Sequence, residues 1–137
     1  ESGMELVQNR IEKLPFMDWR QLPAVIAGLD INLMPLENSL FHWCKSENKW
    51  TEAALVKVPS VMSRNCEMEY VVENGKDGWM CTTKEEWVNA LEALVTDEKA
   101  RKAMGEAAHQ KVMEHYLTVN TGKDAMEELL CSESYTK

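Results

Sequence analysis

The chain has 137 residues, enough for about one domain with a modest core. Its apolar share is 45% and its formal net charge is −8, from 23 acids against 15 bases, which argues against nonspecific association with nucleic acid or an anionic membrane. No apolar run approaches the roughly 20 residues needed to span a bilayer, and no signal peptide is visible.

Taken in chain order, Val7 to Phe16 reads as an opening strand with Ile11, Leu14 and Phe16 as apolar anchors, limited at its far end by Pro15. Asp18-Trp19-Arg20-Gln21 has the spacing of a capping box. A helix through Leu22, Val25, Ile26 and Ala27 should follow and stop at Gly28, with Pro23 tolerated in its first turn. Asp30 to Leu36 is a strand, and Glu37 to Lys45 is a loop carrying Phe41, His42 and Trp43. The patterning then predicts a helix over Asn48–Val56, a short strand over Val58–Ser63 and a helix over Cys66–Glu73 ending at Asn74-Gly75. Lys76-Asp77-Gly78 is a turn before a strand at Trp79-Met80-Cys81.

Thr83-Lys84-Glu85-Glu86 is a second capping box, opening a helix with Trp87, Ala90, Leu91 and Leu94 at helical spacing. A further helix runs from about Asp97 to His115, and a last short one spans about Thr121 to Leu130. Strands alternating with helices imply a parallel sheet covered on both faces. The expected fold class is α/β, a truncated Rossmann-like parallel sheet of three to four strands with flanking helices, where about five or six strands are usual. With no initiator methionine before Glu1-Ser2-Gly3, the reading is a single domain over 1–137 that is a piece of a longer protein.

The four cysteines, Cys44, Cys66, Cys81 and Cys131, are scattered and fit a reducing cytosol better than a disulfide framework or zinc site. His42 and Cys44 lack a second ligand pair, so no metal is assigned.

The stretch Lys45-Ser46-Glu47-Asn48-Lys49-Trp50-Thr51-Glu52 carries the chemistry. It places lysines, a serine and an asparagine at a helix start, where free N–H groups and the helix dipole suit a phosphate. A glutamate one turn in can accept hydrogen bonds from hydroxyls attached to that phosphate. Two plainer readings stay open: Lys49 and Glu52 as an exposed ion pair, and Ser46 or Asn48 as a helix cap. The aromatic loop, likewise, is either core or a sugar platform. In an open α/β sheet, ligands sit beyond the carboxyl ends of the strands, here after Pro35-Leu36 and after Met62-Ser63 with Arg64 and Asn65.

These residues, in this order, resemble the C-terminal, donor-binding half of GT-B-fold retaining glycosyltransferases of the group 1 type, a group that includes many capsular and lipopolysaccharide sugar transferases. Leu29-Asp30-Ile31-Asn32-Leu33-Met34-Pro35-Leu36 is similar to its D-I-x-L-x-P-L strand. Lys45-Ser46 with Lys49 to Ala53 resembles its K-S-x-x-K-x-x-E-A helix start. Val58 to Ser63 resembles its x-P-V-V-A-S strand, and Asn74 to Trp79 its N-G-x-x-G-x turn. The likeness runs from Leu22 to about Tyr116.

The resemblance implies that Glu52 accepts hydrogen bonds from the ribose of a nucleotide-diphosphate sugar, the donor substrate. It implies that Lys45, Ser46, Glu47, Asn48 and Lys49 hold the diphosphate and donor sugar, and that Phe16 and Met17 flank the base. The acceptor is a glycan or a lipid-linked sugar. No tightly bound cofactor or metal is implied, and neither is nucleic acid or a transmembrane segment. The full enzyme would be a hexosyltransferase-like protein of polysaccharide biosynthesis, cytoplasmic or peripheral at the membrane. Its acceptor-binding N-terminal domain would be the missing partner, so the isolated chain is expected to be inactive.

The sequence also departs from the family. Cys44 stands where the first of the family's paired glutamates would fall, Lys57-Val58 replaces a small residue before the proline, and the Arg/Lys phosphate clamp has no match. The rival reading is a non-enzymatic flavodoxin-like or receiver-like interaction domain.

Overall fold

The computed structural model describes residues 5–37, 39–43, 45–117, 119, 121 and 122. Among these residues six α-helices and three strands follow one another: α1 (Leu22–Ala27), β1 (Asn32–Met34), α2 (Leu40–Trp43), α3 (Asn48–Leu55), β2 (Ser60–Ser63), α4 (Cys66–Val71), β3 (Trp79–Cys81), α5 (Lys84–Thr96) and α6 (Glu98–His115). The strands form one parallel sheet in the order β1-β2-β3.

The pleat explains the layering. Successive side chains on a strand point to opposite faces, and the register aligns Met34, Met62 and Met80 across all three strands. This methionine row belongs to a buried cluster with Trp50 and Ala54 of α3, Met68 of α4, and Ala108 and Val112 of α6. The alternate residues Val61 and Cys81 join Ala90 and Leu94 of α5 and Met104 of α6 in a second cluster on the other face. Helices therefore cover both faces, as the alternating pattern predicts.

The helix starts follow their capping chemistry. Asn65 accepts the Met68 N–H at 2.8 Å to open α4. Thr83 and Glu86 form the complete capping box of α5. Asp97 accepts the Lys99 and Ala100 N–H groups to open α6. Near α1, Asp18 caps a 3₁₀ turn at Trp19–Gln21 through the Arg20 N–H.

The opening segment corrects one expectation. Glu5–Arg10 is a 3₁₀ helix and residues 11–18 are irregular, so there is no strand over Val7–Phe16. A strand needs a ladder partner, and Pro15 offers no N–H. Leu14 and Phe16 point into solvent rather than a core. The loop over 37–45 also differs, since it contains the short helix α2. Of the expected last helix, only Thr121 and Gly122 fall among the described residues, and Cys44 and Cys131 lie outside them. Among the described residues, no helix is long and apolar enough to cross a membrane.

Candidate functional site

Helix α3 is held from three directions. The Trp50 indole N–H donates to the Asp77 carbonyl at 2.9 Å, and the ring meets Tyr116 edge-on with centroids 6.0 Å apart. At the other end His109 Nδ1 lies 3.1 Å from the Ala54 carbonyl oxygen. Asp77 is buried, with its carboxylate paired to the Lys111 ammonium and accepting the Glu73 N–H. A helix fixed in this way can hold groups on its exposed face in a defined geometry.

The start of α3 differs from those of α4, α5 and α6. Glu47 occupies the cap position, and its side chain makes no capping hydrogen bond. Its carbonyl accepts the Thr51 N–H at 2.9 Å and the Thr51 hydroxyl at 3.2 Å. Among the described residues, the first-turn N–H groups are therefore left without a side-chain cap. Lys45, Ser46, Asn48 and Lys49 are all exposed around this start. The Lys45 ammonium rests over the Phe41 ring, 4.4 Å from its centroid. Burial pushes the Tyr116 phenol above its ordinary range, and the Glu47 and Asp77 carboxylates push it further.

Glu52 lies one turn on, exposed, in a groove of about 180 Å³ whose other walls include Trp19, Leu22, Ile26 and Leu55. Among the described residues neither Lys49 nor Glu52 takes part in an ion pair, so the surface-pair reading is not realised. Phe16 and Met17 line a second groove of about 660 Å³, which shares Trp19 and Leu22 with the first. The structure thus brings Glu52 and the Phe16–Met17 loop to adjoining grooves. Of the two residues joining them, Trp19 was not singled out as a site residue from the sequence. It is 72% exposed, with the Arg20 guanidinium 4.8 Å from its ring centroid. Its signal was present: a tryptophan next to a capping aspartate, at the entrance to an amphipathic helix.

A third cavity, of about 590 Å³, opens beyond the carboxyl ends of all three strands. Its rim is tied together by backbone and hydroxyl contacts. Ser63 Oγ accepts the Leu36 N–H at 2.8 Å and donates to the Leu36 carbonyl at 3.1 Å. The Arg64 N–H donates to the Cys81 carbonyl at 3.0 Å. Arg64 and Asn65 line this cleft, as expected for residues after a strand end; Lys45 to Lys49 do not. Burial raises the Cys81 thiol above its ordinary range, the Glu86 carboxylate adding to it and Arg64 opposing it, which favours the thiol form.

The family described as glycosyl transferases group 1 matches residues 2–97. No curated protein matches the chain in sequence. Among solved structures, the fold is similar to the C-terminal domain of LpcC, a glycosyl transferase group 1 family protein from Francisella tularensis. The TM-score is 0.60 at 18% identity, covering 82% of this chain and 59% of that one. At that identity the likeness concerns the fold, and the chain spans less than two thirds of the domain it matches.

Proposed function

Because the chain belongs to the glycosyl transferases group 1 family, we propose that it binds the nucleotide-diphosphate sugar for a transferase that moves the sugar to a glycan or lipid-linked acceptor. The observation that carries this reading is the setting of Glu52. A carboxylate that forms no ion pair among the described residues stands in an apolar groove beside Trp19, and that groove adjoins the one lined by Phe16 and Met17.

A nucleoside needs these two chemistries side by side. The carboxylate accepts hydrogen bonds from the ribose hydroxyls, as a charge-assisted pair. An aromatic face takes the base. The uncapped start of α3, with Lys45 and Lys49 beside it, then offers N–H donors and positive potential to the diphosphate. The developing charge on the departing diphosphate is met by the helix start and lysines, without a tightly bound metal. A second domain of the same protein would bring the acceptor to this face, in the cytoplasm or at the membrane periphery.

Calorimetry of uridine and guanosine diphosphates with the full chain tests the reading. Glu52→Ala is expected to weaken binding by about tenfold or more, the loss of hydrogen bonds to a charged group. Unchanged affinity would remove Glu52 from the site.

A further inference from the structure

The turn between α4 and β3 carries a chemistry that the nucleotide site does not use. Of the chain's asparagines, only Asn74 is followed by a glycine. Glycine has no Cβ to shield its amide nitrogen, so in an open chain that nitrogen readily reaches the preceding side-chain amide. Glu73, Asn74, Gly75 and Lys76 are all exposed, so water and hydroxide reach them.

The folded turn keeps the two reacting groups occupied elsewhere. The Gly75 N–H, whose nitrogen is the nucleophile, donates to the Gly78 carbonyl at 2.8 Å. Asn74 Oδ1, on the carbon that would be attacked, accepts the Met80 N–H at 2.7 Å. Around them the Glu73 N–H donates to the Asp77 carboxylate at 2.8 Å, and the Lys76 and Asp77 N–H groups donate to the Glu73 carbonyl. Both ends are anchored. Val72 and Asp77 are buried, and the Lys111 ammonium holds the Asp77 carboxylate. Gly78 is wedged so closely that a Cβ on it would stand 3.0 Å from the Met62 and Val72 side chains. A turn closed by this many hydrogen bonds reacts only through its opened form.

We propose that Asn74 is a modification site, at which the Gly75 nitrogen displaces the side-chain amide when the turn opens and the product loosens α3. The Gly75 amide loses its proton to hydroxide, and its nitrogen bonds to Asn74 Cγ. The Cγ–Nδ2 bond breaks, and Nδ2 takes a proton from water and leaves as ammonia. Water then opens the succinimide, mostly to isoaspartate, in which the main chain runs through Cγ and is longer by one methylene. The former Oδ1 becomes a main-chain oxygen, so the bond to the Met80 N–H loses its present geometry. The added length has no place between the anchored Val72 and Asp77. Because the Asp77 carbonyl accepts the Trp50 indole N–H, the change passes to the first turn of α3. The modification is independent of the nucleotide reading; only its effect on ligand binding rests on it.

Mass spectrometry of the full chain, aged at mildly alkaline pH with and without urea, tests this. Fragmentation locates the exchange of NH2 for OH and separates isoaspartate from aspartate. In urea, residue 74 should convert before any other asparagine. In buffer it should convert about tenfold more slowly or less, the effect of the two hydrogen bonds on the reacting groups. Lys111→Met, which frees the Asp77 carboxylate, should bring the buffer rate toward the urea rate. If that variant does not fold, urea below the unfolding range, applied to the natural chain, should raise the rate in the same way. In the nuclear magnetic resonance spectrum of the aged chain, a second Trp50 indole signal should grow with the isoaspartate fraction. Asn74→Asp, which keeps an oxygen for the Met80 N–H, should leave the original signal in place. Equal rates in buffer and urea would overturn the guarding role of the turn. Earlier conversion of another asparagine would overturn the choice of Asn74, and an unchanged indole signal in the isoaspartate form would overturn the link to α3. None of these readouts involves a nucleotide, so failure of the nucleotide reading leaves them untouched.

Discussion

The Trp50 indole N–H and the Asp77 carbonyl are 2.9 Å apart, with both residues buried, and this bond joins the first turn of α3 to the turn before β3. The candidate phosphate-binding end of α3 therefore depends on a partner far away in sequence. Trp50→Phe keeps an aromatic ring but leaves the Asp77 carbonyl without this donor and a gap in the buried cluster that Trp50 shares with Met62 and Met68. We expect a loss of about 2–4 kcal/mol in stability, combining the lost bond with the cavity. Urea unfolding of the two proteins at matched conditions measures it.

Gly105 faces the turn between α3 and β2 at very short range. A Cβ built on it would stand 2.1 Å from the Lys57 carbonyl oxygen and 2.8 Å from the Lys57 carbonyl carbon. Both are backbone atoms, and Lys57 already holds a left-handed φ of 63°. Helix propensity alone would make Gly105→Ala stabilising by about 1 kcal/mol. The steric conflict has the opposite sign and should win, giving a net loss of about 2 kcal/mol or more as α6 is pushed off the turn. A rise in melting temperature would show that α6 sits further from Lys57.

Much of this architecture was legible in the sequence because it rests on local chemistry. Trp79 to Cys81 forms β3 as patterned, the Thr83–Glu86 box opens α5, and Gly75 takes the positive φ of 83° that its turn needs. The opening segment was not legible, because Ile11, Leu14 and Phe16 give an apolar rhythm without the neighbouring strand that a strand requires. The candidate site divides along the same line. Lys45 to Glu52 is contiguous in sequence and was visible there. Trp19 comes to the same groove as Glu52 only through the packing of α1 on α3, and the strand-end cleft assembles Glu37, His42, Arg64, Asn65 and Trp87 from separate segments. No single window of sequence contains such a constellation.

Glu86 links stability to pH. Backbone hydrogen bonds from Thr83 and then Thr82 hold its carboxyl below the ordinary value of 4.5. Because the folded-state pKa is lowered, the contribution is fully present above the unfolded value and is lost as pH falls through the folded one. The stability difference between the natural chain and Glu86→Gln should therefore be constant near neutral pH and shrink on acidification below about pH 4.5. Paired urea titrations across that range test it. A difference that grew with acidity would contradict the capping role.

The nucleotide site makes a prediction that separates its parts. Three ligands of increasing size, inorganic diphosphate, ribose 5-phosphate and a nucleoside diphosphate, should read the start of α3, Glu52 and Trp19 in turn. Glu52→Gln should leave diphosphate binding unchanged and weaken both ribose-bearing ligands. Trp19→Ala should weaken the nucleoside diphosphate alone, by about 1–3 kcal/mol for one base–aromatic stack. Lys49→Gln should weaken all three, and the effect should fade with added salt because the charge is exposed. Glu52 and Trp19 are both exposed, so neither change should move folding stability by more than about 0.5 kcal/mol, and binding losses can be read without correction for unfolding. If Trp19→Ala weakened inorganic diphosphate as much as the nucleotide, the indole would be supporting α1 against α3 rather than meeting a base.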